Sequence, residues 1–419
     1  MHKFEIEGGG VLSGTVSASG SKNSALPILF ASILNPHPVE LKRVPVLKDI
    51  ETTLTLLRGV GADIERVGDS AKVSLKKLSS TEAPYELVRT MRASILMLGP
   101  ILAREGVARV SLPGGCAIGS RPVDLHLSGL EKMGAELTLE HGYVNAKCAG
   151  GLRGAVIEFR MPSVGATEHL MMAATLAKGE TVLKNAAREP EIADLANFLN
   201  SMGAKVSGAG GSEIRIQGGT SFRATKYEVM FDRIEAGTLL LAGPITGGKV
   251  RVEKTNAADL GSYLDILRDC GVTVSVGKDF VEAQAGNHPC GVSVTTEPYP
   301  GFPTDLQAQL MAYLAQVDGE SEITESIFEN RFMHVPELNR LGANIRAEGA
   351  KAKIMGKHGC YSGATVMATD LRASASLVLA GLSGRGTTTV RRIYHLDRGY
   401  EEMEKKLAQL GARISRSQE

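Results

Sequence analysis

The chain has 419 residues, 43% hydrophobic and 22% charged, with 47 Lys plus Arg against 46 Asp plus Glu and a formal net charge of +1. That length and apolar content suit a globular protein of two or three domains, and the near-zero balance excludes a global field for nucleic acid or a membrane surface, so any anion must be held by local cations. Five cysteines, at 116, 148, 270, 290 and 360, form an odd set without a CxxC; this argues against a disulfide framework or structural zinc and for a reducing cytoplasm, and no histidine pair has the spacing of a metal site.

The opening MHKFEIEGGG has no apolar signal segment. GSKNSALPILFASIL (20–34) follows, apolar almost all round after a polar start; it is too short to span a bilayer and is patterned as a buried helix. LLRGVGADI, ending near 64, then reads as an amphipathic helix stopped by a glycine and followed by an alternating strand. The same pair of phrases recurs along the chain. MRASILMLGPILA (91–103) precedes LEKMGAEL near 137, and PSVGATEHLMMAATLA (162–177) precedes FLNSMGAKV near 206. DRIEAGTLLLAGPI (232–245) precedes ILRDCGVTV near 274, FPTDLQAQLMAYLA (302–315) precedes LNRLGANI near 345, and DLRASASLVLAGL (370–382) precedes LAQLGARI near 414. The stopping glycines, Gly61, Gly134, Gly203, Gly271, Gly342 and Gly411, stand 68 to 73 residues apart. That period is too long for a solenoid repeat and right for a small α/β unit. Six such units predict two halves of three, dividing near 229. GAGGSEIRIQGG (208–219) reads as turns around a strand, weak as a phosphate loop because no helix pattern follows it.

A helix start carries unpaired N–H groups and about half a positive charge. The six buried starts carry Lys22 and Asn23, Arg92, Ser163, Asp232 and Glu235, Asp305, and Asp370 with Arg372. Capping accounts for Ser163, Asp232, Asp305 and Asp370. It does not account for Lys22, Arg92 and Arg372, cations set against the dipole. Parallel helices in two facing halves would focus their field into the cleft between them, and cations held there predict an anionic ligand.

PGGCAIGSRPVDLH (113–126) places the thiol of Cys116 in a glycine-rich loop, five residues before Arg121. A guanidinium binds carboxylate or phosphate and draws a nearby thiol toward thiolate, so Cys116 is a candidate nucleophile or general acid.

These stretches, with SVGAT (163–167), NAAREPEI (185–192), FPTDLQAQ (302–309), ENRFMHVPEL (329–338), ATDLRASASLVLAGL (368–382) and YHLDRGYE (394–401), resemble the enolpyruvyl transferases from about residue 1 to 415. The resemblance implies an α/β fold: a two-domain inside-out α/β barrel built from six repeats of about 70 residues. One domain would span 22–229 and carry the Cys116 loop; the other would join 1–21 to 230–419 and carry Asp305 and Arg398, with the active site in the cleft between them. It implies that the enolpyruvyl group of phosphoenolpyruvate moves to the 3′-hydroxyl of UDP-N-acetylglucosamine by addition and elimination, with phosphate released and no cofactor, in the first committed step of peptidoglycan synthesis. The sister enzyme acting on shikimate 3-phosphate and a catalytically silent UDP-sugar binder are the alternatives. The first lacks this cysteine loop, and the second has no reason to keep Lys22, Cys116, Asp305 and Arg398.

By the same resemblance Lys22, Asn23, Arg121, Arg372 and Arg398 bind phosphoenolpyruvate. Cys116 is the acid toward its C3, forms a thioether-like adduct with it, and is alkylated by the epoxide antibiotic fosfomycin. Asp305 is the base facing the sugar hydroxyl, and Lys22 and Arg398 assist catalysis. Asn23, Arg92 and Ile327 touch the nucleotide sugar. Arg121, Pro122, Val123, Asp124 and Leu125 line the nucleotide, and Ser163, Val164 and Gly165 the diphosphate. His126 is open between a structural loop histidine and a ligand contact, and Arg331 and Asp397 between ion pairs and ligand. Some members carry a lysine two residues before the serine where this chain has Met161, with Arg160 as a possible substitute. Oligomeric state is left open.

Overall fold

The computed structural model describes residues 2–88, 91–112 and 123–418. Its strands build six four-stranded sheets, and all six share one plan. An outer strand pairs parallel with an inner one, which pairs antiparallel with a third, and that with a fourth; in five sheets the last two strands form a hairpin, and in the sixth they are His2–Glu7 and Arg413–Gln418. Thr225–Glu228, for example, runs parallel to Val39–Lys42, which pairs antiparallel with Ser70–Ser74, and that strand with Asp63–Val67. The predicted repeat is therefore a structural one.

Two of the six parallel pairs among the described residues join strands distant in sequence, and these, with the pairing of the first strand, decide which residues belong together. Ser13–Ser17 lies beside Lys249–Glu253, and His2–Glu7 between Thr387–Arg391 and Arg413–Gln418. Residues 2–19 accordingly form one compact unit with 231–418, and the described residues of 20–112 and 123–230 form the other.

Each unit is built around three buried helices. In the first these are Arg233–Ile245, Gln307–Leu314 and Leu371–Ser383, which pack on one another. In the second they are Lys22–Ala31, Leu98–Glu105 and Val164–Ala174. Every residue of Arg233–Ile245 is buried, as its all-round apolar sequence requires. The six amphipathic helices end as the glycine phrases predict. Gly61, Gly134, Gly203, Gly271, Gly342 and Gly411 have φ between 82° and 113°, a region that only glycine enters without penalty. The next N–H then reaches back to the carbonyl five residues earlier, as Ala62 does to Leu57 at 3.0 Å and Ala412 to Leu407 at 3.0 Å, satisfying a helix-end acceptor.

Two buried starts depart from the predicted α-helix. Arg92–Met97 is a 3-10 segment leading into Leu98–Glu105, and Thr304–Leu306 another leading into Gln307–Leu314. The first has a local cause: Pro100 has no N–H, and the Gly99 N–H is spent on the His169 ring at 2.6 Å. Two consecutive residues thus fail to donate back into the preceding turn. Arg92 therefore opens a 3-10 segment rather than an α-helix.

Close strand approach leaves no room for a side chain at Gly363. A Cβ there would fall on the Thr387 carbonyl oxygen and within 2.7 Å of the Thr387 nitrogen. Gly363→Ala is expected to destabilise by about 2–3 kcal/mol, read as a lowered melting temperature; an unchanged one would show that the strand pair yields at little cost. Among the described residues no helix is long and apolar enough to cross a membrane, and no His, Cys, Asp and Glu group is placed to hold a metal ion.

Candidate active site

In the unit containing the C-terminus, the site is organised around one carboxylate. Asp305 Oδ1 accepts from Arg331 Nη2 at 2.7 Å, and its Oδ2 from Arg372 Nη2 at 2.9 Å. Both arginine side chains are about 5% exposed or less, whereas Asp305 is 27% exposed. Asp305 is thus not a helix cap, contrary to the sequence reading. Pro303 begins a 3-10 turn whose cap makes no side-chain hydrogen bond, which frees the carboxylate for the two guanidinium groups. Arg331, left open by the sequence, is paired with Asp305.

Arg372 lies in the first turn of Leu371–Ser383, whose cap Asp370 accepts from the Arg372 and Ala373 N–H groups at 2.8 and 3.0 Å. Burial is the largest single influence and works against its charge, but Asp305, Tyr400 and Asp232 together outweigh it and raise its pKa further. Its Nη1 is buried without a partner among the described residues. A buried, permanently charged guanidinium with a spare donor is suited to an anion. Tyr400 lies below it, 5.5 Å from ring centroid to guanidinium carbon, and its hydroxyl is 3.0 Å from both Thr238 Oγ1 and Gln309 Nε2. Arg398 closes the 3-10 segment Ile393–Arg398 just before Tyr400. Asp397, also left open, pairs with Arg416 at 2.7 and 3.0 Å.

Sequence reasoning missed Glu325. This buried carboxylate accepts from Thr296 Oγ1 (3.0 Å), Thr304 Oγ1 (2.8 Å) and the N–H groups of Ile327 (2.9 Å) and Phe328 (3.1 Å). It ties the segment bearing Ile327 to the residue before Asp305. Nothing in the local sequence marks it, because its partners come from three separate segments.

In the other unit, Lys22 is the first residue of Lys22–Ala31, with Ser21 as cap accepting from the Ser24 N–H at 3.3 Å. Asp49 stands 3.6 Å from the Lys22 ammonium and is nearly buried, which offsets the helix dipole. Asn23 follows, half-buried. Ser24 donates to Asp194, which also accepts from Tyr227 OH at 2.6 Å and the Met230 N–H at 3.2 Å. Ser163 caps Val164–Ala174 through the Ala166 N–H at 3.3 Å, and Ser163, Val164 and Gly165 are half-buried. Val123 precedes the helix Asp124–Lys132, which holds Asp124 and Leu125. His126 is therefore helical, not in a loop. Arg160 pairs with Asp124 at 2.6 Å, and Met161 is exposed.

The structure thus brings Asp305, Arg372 and Arg331 into direct contact, with Arg398 close in sequence to Tyr400. It gathers Val123 to Leu125 and Ser163 to Gly165 near His126, whose ring lies against Gly165. Cys116, Arg121 and Pro122 lie outside the described residues. The other four cysteines are free thiols. Burial raises the thiol of Cys148, pushes that of Cys270 up to about 12 and that of Cys360 up to about 11, so these three are poor nucleophiles.

A family profile described as EPSP synthase (3-phosphoshikimate 1-carboxyvinyltransferase) matches residues 6–407. The UDP-N-acetylglucosamine 1-carboxyvinyltransferase of Trichlorobacter lovleyi is 55% identical over 419 residues, and that of Geobacter metallireducens 54%, each over the whole of both chains. Among solved structures, the enolpyruvyl transferase NikO from Streptomyces tendae aligns with a TM-score of 0.90 at 28% identity, covering 99% of each chain. An EPSP synthase from Acinetobacter baumannii aligns with a TM-score of 0.80 at 19% identity over all of both chains, a likeness of fold alone. The α/β class and six-repeat inside-out barrel expected above agree with these structures.

Proposed function

The chain belongs to the UDP-N-acetylglucosamine 1-carboxyvinyltransferases within the EPSP synthase family, and from that premise we propose how its residues carry the reaction. It transfers the enolpyruvyl group of phosphoenolpyruvate to UDP-N-acetylglucosamine in peptidoglycan synthesis. The family profile spans both sister reactions, but full-length identity of 53–55% is to the nucleotide-sugar enzymes, against 18–19% to the solved EPSP synthases.

The observation that carries the residue assignment is Asp305 beside Arg372. A partly exposed carboxylate sits 2.9 Å from a buried guanidinium with a spare donor. The two needs of the reaction are a base for the sugar 3′-hydroxyl and a cation for the phosphoenolpyruvate carboxylate. In the path we propose, the Cys116 thiol protonates C3 of the enol. The sugar oxygen bonds to C2 as its proton passes to Asp305. The resulting ketal then loses a C3 proton and expels phosphate, which regenerates the enol ether. Lys22, Asn23, Arg121, Arg372 and Arg398 take the anionic groups of phosphoenolpyruvate. Arg92, Val123 to Leu125, Ser163 to Gly165 and Ile327 take the nucleotide sugar.

The domains are proposed as 22–229 and 1–21 with 230–419, the reaction drawing on residues of both. A cytoplasmic location is proposed from the unpaired cysteines and the substrates. Fosfomycin is proposed to alkylate Cys116.

The test is phosphate release from phosphoenolpyruvate, run separately with UDP-N-acetylglucosamine and with shikimate 3-phosphate. Release is expected only with the nucleotide sugar, and prior fosfomycin is expected to abolish it. Release with shikimate 3-phosphate would move the chain to the sister reaction. A protein that binds the UDP-sugar but releases nothing would be a silent binder.

A further inference from the structure

The buried histidine pair of the N-terminal-half unit has a fixed proton arrangement. The Gly99 N–H donates to His169 Nε2 at 2.6 Å. A ring nitrogen that accepts carries no proton, so the single proton of neutral His169 is on Nδ1. His169 Nδ1 lies 3.2 Å from His126 Nδ1, and with the proton on the former the latter accepts. The proton of neutral His126 is therefore on Nε2. Both rings are neutral: burial, then the nearby Arg92 cation, pushes His126 down to about 4, and burial, then His126, holds His169 well below the usual range.

His126 is only 8% exposed, yet its Nε2 makes no hydrogen bond among the described residues. That ring edge lies against the opening of Val164–Ala174: a Cβ on Gly165 would stand 3.3 Å from Nε2 and 3.2 Å from Cε1. The Ser163 cap engages the Ala166 N–H. The N–H groups before it have no partner within the helix. A helix start and an unpartnered, nearly buried N–H thus converge. The charged groups acting on His126 are Arg92 and Asp124, the latter paired with Arg160.

We propose that His169 is a positioning residue: oriented by the Gly99 N–H, it fixes His126 as an Nε2–H donor to a phosphate oxygen bound at the start of Val164–Ala174. This rests on the nucleotide-sugar reading above and adds to it two residues, His169 and Gly99, that contact no substrate. Gly99 is suited to the task. A Cβ there would come within 2.7 Å of His169 Nε2, and Pro100 behind it removes the competing helical donor.

The test is a long-range proton–nitrogen correlation spectrum of histidine-labelled wild-type protein, assigned with His126→Phe and His169→Leu. The expected tautomers are Nε2–H for His126 and Nδ1–H for His169, and UDP without phosphoenolpyruvate shifts the His126 Nε2 signal. Kinetically, His126→Phe is expected to raise the KM for the nucleotide sugar about tenfold, the worth of one hydrogen bond to a charged group, with kcat and the phosphoenolpyruvate KM nearly unchanged. His169→Leu raises the same KM by a similar factor in the wild-type background and adds nothing in His126→Phe. A His126 proton on Nδ1, a signal that saturating UDP leaves unmoved, or additive effects in the double variant would overturn the proposal. Wild-type protein that shows the expected spectrum but releases no phosphate would instead overturn the functional reading.

Discussion

Asp305→Asn is expected to lower kcat about a thousandfold, within the range for loss of a general base, while the KM of each substrate changes by less than about tenfold. Asparagine keeps the shape and one acceptor oxygen, but it cannot take the proton of the sugar hydroxyl. In the wild type each carboxylate oxygen gives one lone pair to an arginine, Oδ1 to Arg331 and Oδ2 to Arg372. A carboxylate oxygen carries two lone pairs, so pairing with one arginine does not exhaust its capacity to accept. The amide nitrogen of asparagine must face one of the two guanidinium groups and repels it. Breaking a buried pair costs about 3–5 kcal/mol. Partial exposure of Asp305, at 27%, reduces that, so a melting temperature lower by about 5 °C is expected, with the fold retained. Turnover and melting measured on one preparation separate the two effects. A folded variant with near wild-type kcat would remove Asp305 from the chemistry and leave it as a clamp for Arg372.

What the sequence made legible was periodic. The buried helices, the six glycine stops and the strands after them are local patterns of apolar spacing and backbone freedom, and they turned up where the pattern put them, except that two of the buried helices open as 3-10 segments. The caps at Ser163 and Asp370 are equally local, since a short polar side chain needs only the N–H groups two or three residues ahead. What escaped was every interaction between segments. Asp305 and Asp370 look alike as first-turn acids, yet one caps a helix and the other joins Arg331 and Arg372, 26 and 67 residues away. Glu325 reads as an ordinary strand-end acid until Thr296 and Thr304 are brought to it. His126 and His169 are 43 residues apart, and their ring contact has no trace in either local motif. The cations at helix starts were the exception: Lys22 and Arg372 stood out because they violate the dipole preference, and each proved to be matched by an acid from elsewhere, Asp49 and Asp305.

Cys116→Asp is expected to retain turnover while losing inactivation by fosfomycin by more than about a hundredfold in rate. The two roles proposed for the thiol need opposite protonation states. Donation to C3 of the enol requires S–H, whereas opening the epoxide requires the thiolate. A carboxylic acid supplies the first, but its anion is a far weaker nucleophile toward an epoxide than sulfur. The substitution also carries a pH signature. A general acid works only while protonated, and the reference pKa falls from about 8.5 for the thiol to about 3.9 for the carboxyl. The variant therefore loses activity as pH rises through a lower range than the wild type does, and kcat/KM at pH 5.5 should exceed that at pH 8 by about tenfold or more. Profiles of kcat/KM against pH for the two proteins, with fosfomycin inactivation followed in parallel, test both claims. A folded variant inactive at every pH would show that sulfur itself is required, through the adduct with phosphoenolpyruvate rather than through proton donation. A variant still alkylated at the wild-type rate would place the fosfomycin-reactive group on another residue.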